Sequence, residues 1–257
     1  MLELININKY YNPGSVNEMC MFQDFSLTIN DGDFVSIVGS NGSGKTSLLN
    51  IICGSIDIDS GKILVDDRNI VREKEYVRQR SIGRVYQNPA MGTCPSMTIL
   101  ENMSLADNKG KTFNLSFGTN KKRIDAYKEL LSKLNLGLED KLNIKVGSLS
   151  GGQRQAMALL MSTMTPIKFL ILDEHTAALD PKTAELIMEL TDKIVKEKNI
   201  TTIMVTHNLR YAIEYGNRII MMHQGNVIFD KAGETKEEVN IDDVLGLFNK
   251  ISIECGN

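Results

Sequence analysis

The chain has 257 residues, 42% hydrophobic and 24% charged, with a formal net charge of -3 at pH 7. That length can bury a substantial core, and the mild negative charge argues against the strongly basic face used in nonspecific nucleic-acid binding, so no nucleic acid is expected as a partner. The N-terminal MLELININKYY alternates like a strand instead of carrying a signal peptide's apolar run, and no window approaches the roughly 20 apolar residues of a membrane-spanning helix.

Any membrane role is therefore expected to come through a partner. Cys20, Cys53, Cys94 and Cys255 are scattered without Cys-x-x-Cys spacing. They read as buried or incidental thiols of a reducing compartment.

In chain order, Leu2 to Ile7 reads as a strand, and Met19 to Ile29 as one or two more, broken near Asp24. The turn Asn30-Asp31-Gly32-Asp33 leads into Phe34-Val35-Ser36-Ile37-Val38, a short apolar run typical of a central strand. Lys45 to Cys53 looks helical, and Lys62 to Val65 extended. Residues 88 to 120 are rich in proline, glycine and polar side chains: Ile99 to Leu105 predicts a short helix and Asp107 to Asn120 a loop. Ile124, Tyr127, Leu130, Leu131 and Leu134 mark an amphipathic helix over 121–134. The apolar run Phe169 to Leu172 is a second central strand, and Asp180-Pro181 opens a helix to Lys198. Thr201 to Thr206 is another strand, and Gln224-Gly225 turns a hairpin between Arg218–Met222 and Asn226–Phe229.

This alternation predicts an α/β fold with a mostly parallel core sheet, about 1–87 and 166–232. A helical lobe is expected as an insertion at about 88–165, with a charged, then amphipathic tail at 233–257.

The chemistry concentrates at strand ends. Gly39-Ser40-Asn41-Gly42-Ser43-Gly44-Lys45-Thr46 fits G-x-x-x-x-G-K-[ST] in full, between a strand and a helix. Its glycines let backbone N–H groups turn towards phosphate oxygens, Lys45 reaches the β- and γ-phosphates, and Thr46 offers Mg²⁺ a hydroxyl. The strand 169–172 delivers Asp173 and Glu174, expected at a cleft on the carboxyl edge of the sheet. Asp173 suits a Mg²⁺ ligand and Glu174 a base for the attacking water. Gln87 stands at a strand end, where its amide suits metal or water. His207 occupies the position after Thr206 that Asp173 occupies after Leu172, and suits a γ-phosphate donor.

A second anion site is legible at Ser150-Gly151-Gly152-Gln153, where a capping serine and paired glycines open an apolar helix. It lies in the lobe and the phosphate loop in the core, so a shared site within one chain is not expected. A head-to-tail pair of chains solves this, each copy's Ser150 corner closing on ATP held by the other.

Read together, these residues resemble the ATP-binding subunit of a prokaryotic ABC transporter. Gly39 to Thr46 resembles the family's Walker A, and Leu149-Ser150-Gly151-Gly152-Gln153 its LSGGQ signature. Phe169 to Asp173 with Glu174 resembles Walker B and its catalytic glutamate, Gln87 the Q-loop glutamine, His207 the switch histidine, and Ala178-Leu179-Asp180 the D-loop. The resemblance implies a P-loop NTPase of the ABC type with an N-terminal antiparallel β subdomain. It also implies nucleotide contacts at Tyr11, through adenine stacking (with Tyr10 adjacent), and at Gly39, Ser40, Asn41, Gly42, Ser43, Gly44, Lys45, Thr46 and Ser47. Ser150, Gly151, Gly152 and Gln153 are implied contacts to the partner copy's nucleotide. The implied metal set is Thr46, Gln87 and Asp173, and the implied catalytic set Glu174, His207, Lys45 and Gln87.

The implied activity is Mg²⁺-dependent ATP hydrolysis by a homodimer that drives an integral membrane permease from the cytoplasmic face of the membrane. Cys94 to Asn102 is similar to a subgroup encoded with a substrate-binding lipoprotein and one permease, which favours import. The alternative is a soluble ABC-type ATPase of DNA repair or translation. His175 departs from the family, where proline usually follows the glutamate, and its spacing gives it no task. The cargo leaves no mark in this chain.

Overall fold

The computed structural model describes residues 1–111 and 118–254. The loop expected at 107–120 lies partly, and Cys255 wholly, outside the described residues. The strands are β1 (Leu2–Tyr11), β2 (Met19–Ile29), β3 (Phe34–Gly39), β4 (Ser60–Val65), β5 (Arg68–Asn69), β6 (Ile82–Val85), β7 (Phe169–Asp173), β8 (Thr201–Val205), β9 (Arg218–His223) and β10 (Asn226–Ala232). The helices are α1 (Lys45–Cys53), α2 (Glu75–Arg78), α3 (Ile99–Asp107), α4 (Ile124–Ser132), α5 (Gly151–Ser162), α6 (Pro181–Lys198), α7 (Leu209–Glu214), α8 (Glu234–Glu237) and α9 (Ile241–Glu254). The chain forms two compact units, Met1–Gln79 with Asn199–Asn257, and Arg80–Lys198.

The first unit holds an antiparallel sheet in the order β2-β1-β4-β5. β2 is one strand, not two, with a register shift opposite Asp24, which takes a left-handed φ of 50°. Asn6 makes the matching bulge in β1 at φ 50°. Leu2, Leu4 and then Ile7 face inward as a result, since the extra residue resets the alternation. The same unit carries β10-β9-β3-β8, in which β3 runs parallel to β8 and β9 while β10 closes an antiparallel hairpin. All six residues of β3 are buried, as its continuous apolar run requires of a central parallel strand. The tail docks here: Val239 and Val244 pack with Val38, Ala212, Ile219 and Met221, beneath the partly buried Leu247 and Phe248.

In the second unit β6 and β7 pair in parallel, with Arg84 opposite Ile171 and Val85 opposite Leu172. The amphipathic helix expected over 121–134 is α4, preceded by a 3₁₀ turn at Lys121–Arg123. Tyr127, fully buried, bonds Asp107 Oδ2 at 3.0 Å, and Arg123 bonds Asp107 Oδ1 at 2.6 Å. Together they tie α4 to the end of α3. The core sheet is thus mixed and mainly parallel, with an antiparallel N-terminal sheet, as the sequence implies.

Candidate functional site

In the first unit the phosphate loop sits between β3 and α1. Gly39, Gly42 and Gly44 all take positive φ, at 153°, 78° and 101°. Their reasons differ. A Cβ on Gly39 would stand 2.2 Å from Met222 O, so the backbone of β9 excludes any side chain there. On Gly42 a Cβ meets nothing within 4 Å, and only the turn's handedness demands glycine. The loop is braced from the hairpin: Gly225 N donates to Ser43 O at 3.1 Å.

Lys45 is 5% exposed and folds across the loop, its Nζ donating to Gly39 O at 2.8 Å and Ser40 O at 2.9 Å. Those carbonyls fix the ammonium over the mouth of the loop. Thr46 and Asn41 are exposed, and α1 points its N-terminal N–H groups the same way.

Of the two adjacent tyrosines, Tyr11 reaches this helix, its hydroxyl 3.0 Å from Ser47 Oγ. Tyr10 is engaged by Cys20, whose hydrogen bond pushes the phenol pKa up. His207 is exposed at the end of β8. The turn that carries it is held by Asn208 N to Thr206 Oγ1 at 3.0 Å and by Asn208 capping α7 on Tyr211 N.

In the second unit Asp173 ends β7 and Glu174 follows at φ 48°, a left-handed conformation strained for a non-glycine residue. His175, 2% exposed, pins this turn from below, with Nε2 3.3 Å from Thr191 Oγ1. Thr191 Oγ1 donates to Ile187 O at 2.7 Å, which leaves its lone pair to accept from a His175 Nε2–H, and burial keeps the ring neutral. Burial pushes the His175 pKa down to about 4. His175, whose spacing in the sequence gives it no task, thus anchors the Glu174 turn to α6. Asp180 caps α6 by accepting from Thr183 N at 3.1 Å, and its pKa is lowered first by a hydrogen bond from the Thr183 side chain and then by this backbone bond.

Gln87 is exposed two residues beyond β6, and the backbone leading to it is held by buried Gln155, which donates to Tyr86 O at 3.1 Å.

Ser150 caps α5 in a reciprocal box: its hydroxyl accepts from Gln153 N and the Gln153 amide oxygen accepts from Ser150 N, each at 3.2 Å. The paired glycines separate. A Cβ on Gly152 would stand 2.2 Å from Thr183 Cγ2, so α6 of the same chain demands that glycine. Gly151 is exposed, and a Cβ there would lie in ordinary contact with Leu179.

Sequence reading missed Arg84, Gln155 and Thr191. Arg84 Nη2 pairs with Asp173 Oδ2 at 3.0 Å, the two side chains 10% and 15% exposed. The available signal was an arginine in an otherwise apolar strand, where a charge needs a partner. Gln155 and Thr191 left no signal, because their partners lie 69 and 16 positions away.

Among the described residues no three His, Cys, Asp or Glu side chains cluster as a metal cage. The exposed Thr46 hydroxyl and the strand-end Asp173 carboxylate are hard oxygen donors. Each, taken in its own unit, is of the donor type that Mg²⁺ takes. No helix of the described residues is long and apolar enough to cross a membrane.

Residues 22–177 match the family described as ABC transporter. The chain is 50% identical over 250 residues to the tyrosine transport ATP-binding protein of Clostridioides difficile, covering 96% of this chain and 98% of that one. Against the phosphonates import ATP-binding protein PhnC of Lactococcus lactis the identity is 32%, over 95% and 98% of the two chains. Among solved structures, the ADP conformation of the cassette MJ1267 is similar at a TM-score of 0.80 and 26% identity, covering 100% of this chain and 99% of that one. The dimeric post-hydrolysis state of the cassette MJ0796, bound to ADP and Pi, is similar at 0.76 and 31%, over 90% and 98%.

Proposed function

The chain belongs to the ABC transporter family, as an ATP-hydrolysing subunit that powers solute import, and from that premise we propose how its residues divide the work. Two copies close head to tail on two ATP molecules. Each nucleotide is held by the phosphate loop of one copy, Gly39 to Ser47 with Tyr11 on the adenine, and by Ser150, Gly151, Gly152 and Gln153 of the other. The observation that carries this reading is the second helix start. It is exposed at Ser150 and Gly151, and a helix N-terminus of this kind suits an anion. The dimeric MJ0796 cassette supports the pairing.

Within each site Lys45 swings from the loop carbonyls to the β- and γ-phosphates. Glu174 takes the proton of the attacking water, and His207 donates to the γ-phosphoryl oxygen as charge builds there. Thr46, Gln87 and Asp173 would hold Mg²⁺, which when bound would supply positive charge to the phosphates. The backbone strain at Glu174 and the His175–Thr191 anchor keep the base in one orientation, so little reorganisation is needed during the reaction.

Closure passes through the helical lobe, about 88–165, to an integral membrane permease. The subunit thus works as a peripheral protein on the cytoplasmic face of the membrane. An extracytoplasmic binding protein delivers the cargo, and the tyrosine transport relative makes an amino acid the first solute to assay.

The Glu174→Gln variant tests the reading. ATP binding is expected to survive, hydrolysis to fall by at least about a hundredfold, and a stable ATP-bound dimer to elute on size exclusion. Turnover near the wild-type rate removes Glu174 from its role. Co-purification with ribosomes or DNA instead of a membrane protein would favour a soluble ATPase.

A further inference from the structure

Asp173 closes a strand whose four preceding residues are all buried, and its own side chain is 15% exposed. A carboxylate so placed is expensive without a cation beside it. Arg84 supplies one from the neighbouring strand. Its backbone lies opposite Ile171, so alternation along β6 and β7 brings Arg84 and Asp173 to the same face. The guanidinium meets Asp173 Oδ2 at 3.0 Å and stacks 4.6 Å from the Tyr86 ring centroid, which restricts where it can go.

We propose that Arg84 is a resident counter-cation of the metal carboxylate. It holds Asp173 oriented before Mg-nucleotide arrives, then competes with the divalent ion for that carboxylate. The inference rests on the reading of Asp173 as a metal ligand given above. The oxygen paired with Arg84 belongs to the carboxylate that would face the metal, and a fixed positive charge at this range disfavours a second cation nearby. Arg84 therefore weakens divalent binding while keeping its ligand in place. ADP release with its ion becomes easier, because the carboxylate has a ready partner to return to.

The test is a Mn²⁺ titration, followed by electron paramagnetic resonance, of the full chain saturated with a non-hydrolysable ATP analogue. Arg84→Met is expected to tighten Mn²⁺ binding on the order of tenfold, and Arg84→Gln likewise should Arg84→Met fail to fold, as judged by circular dichroism. Arg84→Lys, which keeps the charge, is expected to stay within about twofold of wild type. Affinity for the analogue in EDTA should be unchanged in all three. Unchanged or weaker Mn²⁺ binding in Arg84→Met or Arg84→Gln overturns the proposal, as does an Arg84→Lys chain that binds as tightly as Arg84→Met. In the Asp173→Asn background the gain from removing Arg84 should shrink to what charge repulsion alone leaves, and its persistence in full also overturns the competition. Should Asp173→Asn alone leave Mn²⁺ affinity intact, the metal-ligand reading fails, a different result from failure of the Arg84 step.

Discussion

Gly151 and Gly152 stand side by side for different reasons. Gly152 is closed off by Thr183 Cγ2 of its own chain, whereas Gly151 is exposed and has room for a methyl. Gly152→Ala is therefore expected to destabilise the chain by about 1–3 kcal/mol through overpacking. Thr183→Ser, which removes the offending methyl, should recover most of that loss in the double variant. Gly151→Ala should keep wild-type stability in urea denaturation yet impair ATP-driven dimerisation, since its backbone faces outward. At this scale the sequence made the chemical types legible. A lysine after a glycine-rich loop, carboxylates after an apolar run and a serine before paired glycines each announce a task by local context. It left the supporting partners Thr183, Thr191 and Arg84 illegible, because each meets its target through the fold and not through neighbouring positions.

Helix α1 shows how an element is held so that its end can serve. Its N-terminus is formed by the phosphate loop, and its C-terminus by Gly54 at φ 83°, whose N–H caps Asn50 O and Ile51 O. Arg78, 4% exposed, completes the stop. It donates to Ile51 O at 2.8 Å, Ile52 O at 3.3 Å, Val71 O at 2.9 Å and Glu73 O at 3.1 Å. Burial lowers the Arg78 pKa, opposed chiefly by the nearby Glu73 charge. Such a cation suits the negative end of the helix. Arg78→Met is expected to leave these carbonyls buried without a donor and to lower stability by about 2–4 kcal/mol. Thermal denaturation measures the loss, and ATP affinity should fall with it, because α1 carries Lys45 and Thr46. Longer elements were legible in the sequence, as with α4 from its apolar period and α6 from its Asp180-Pro181 entry. The four-residue α2 and six-residue α7 were not, since so few residues present no period.

For the molecule as a whole, the buried His175 couples folding to pH. Its pKa is about 4 when folded, against about 6.5 for an unburied histidine. Above pH 6.5 it is neutral in both states and its contribution is complete. Between 6.5 and 4 the unfolded chain takes up a proton that the folded one refuses, so stability falls with pH, by about 3 kcal/mol in full. Urea denaturation of the metal-free chain at pH 7.5 and 5 should show this slope, and His175→Gln should flatten it. An equal slope in that variant assigns the acid sensitivity to other groups.

The central strands, the longer helices, the phosphate-loop motif, the strand-end acids and the capped serine-glycine helix start were determined by the sequence alone. Each depends on backbone preference, hydrophobic period or the chemistry of adjacent residues, all local quantities. Only the tertiary structure decided that Gly152 answers to Thr183, that His175 is a neutral anchor beneath Glu174, and that Asp173 already holds a cation. Those outcomes depend on distances between residues far apart in the chain, and such distances exist only once β6, β7, α5 and α6 have packed.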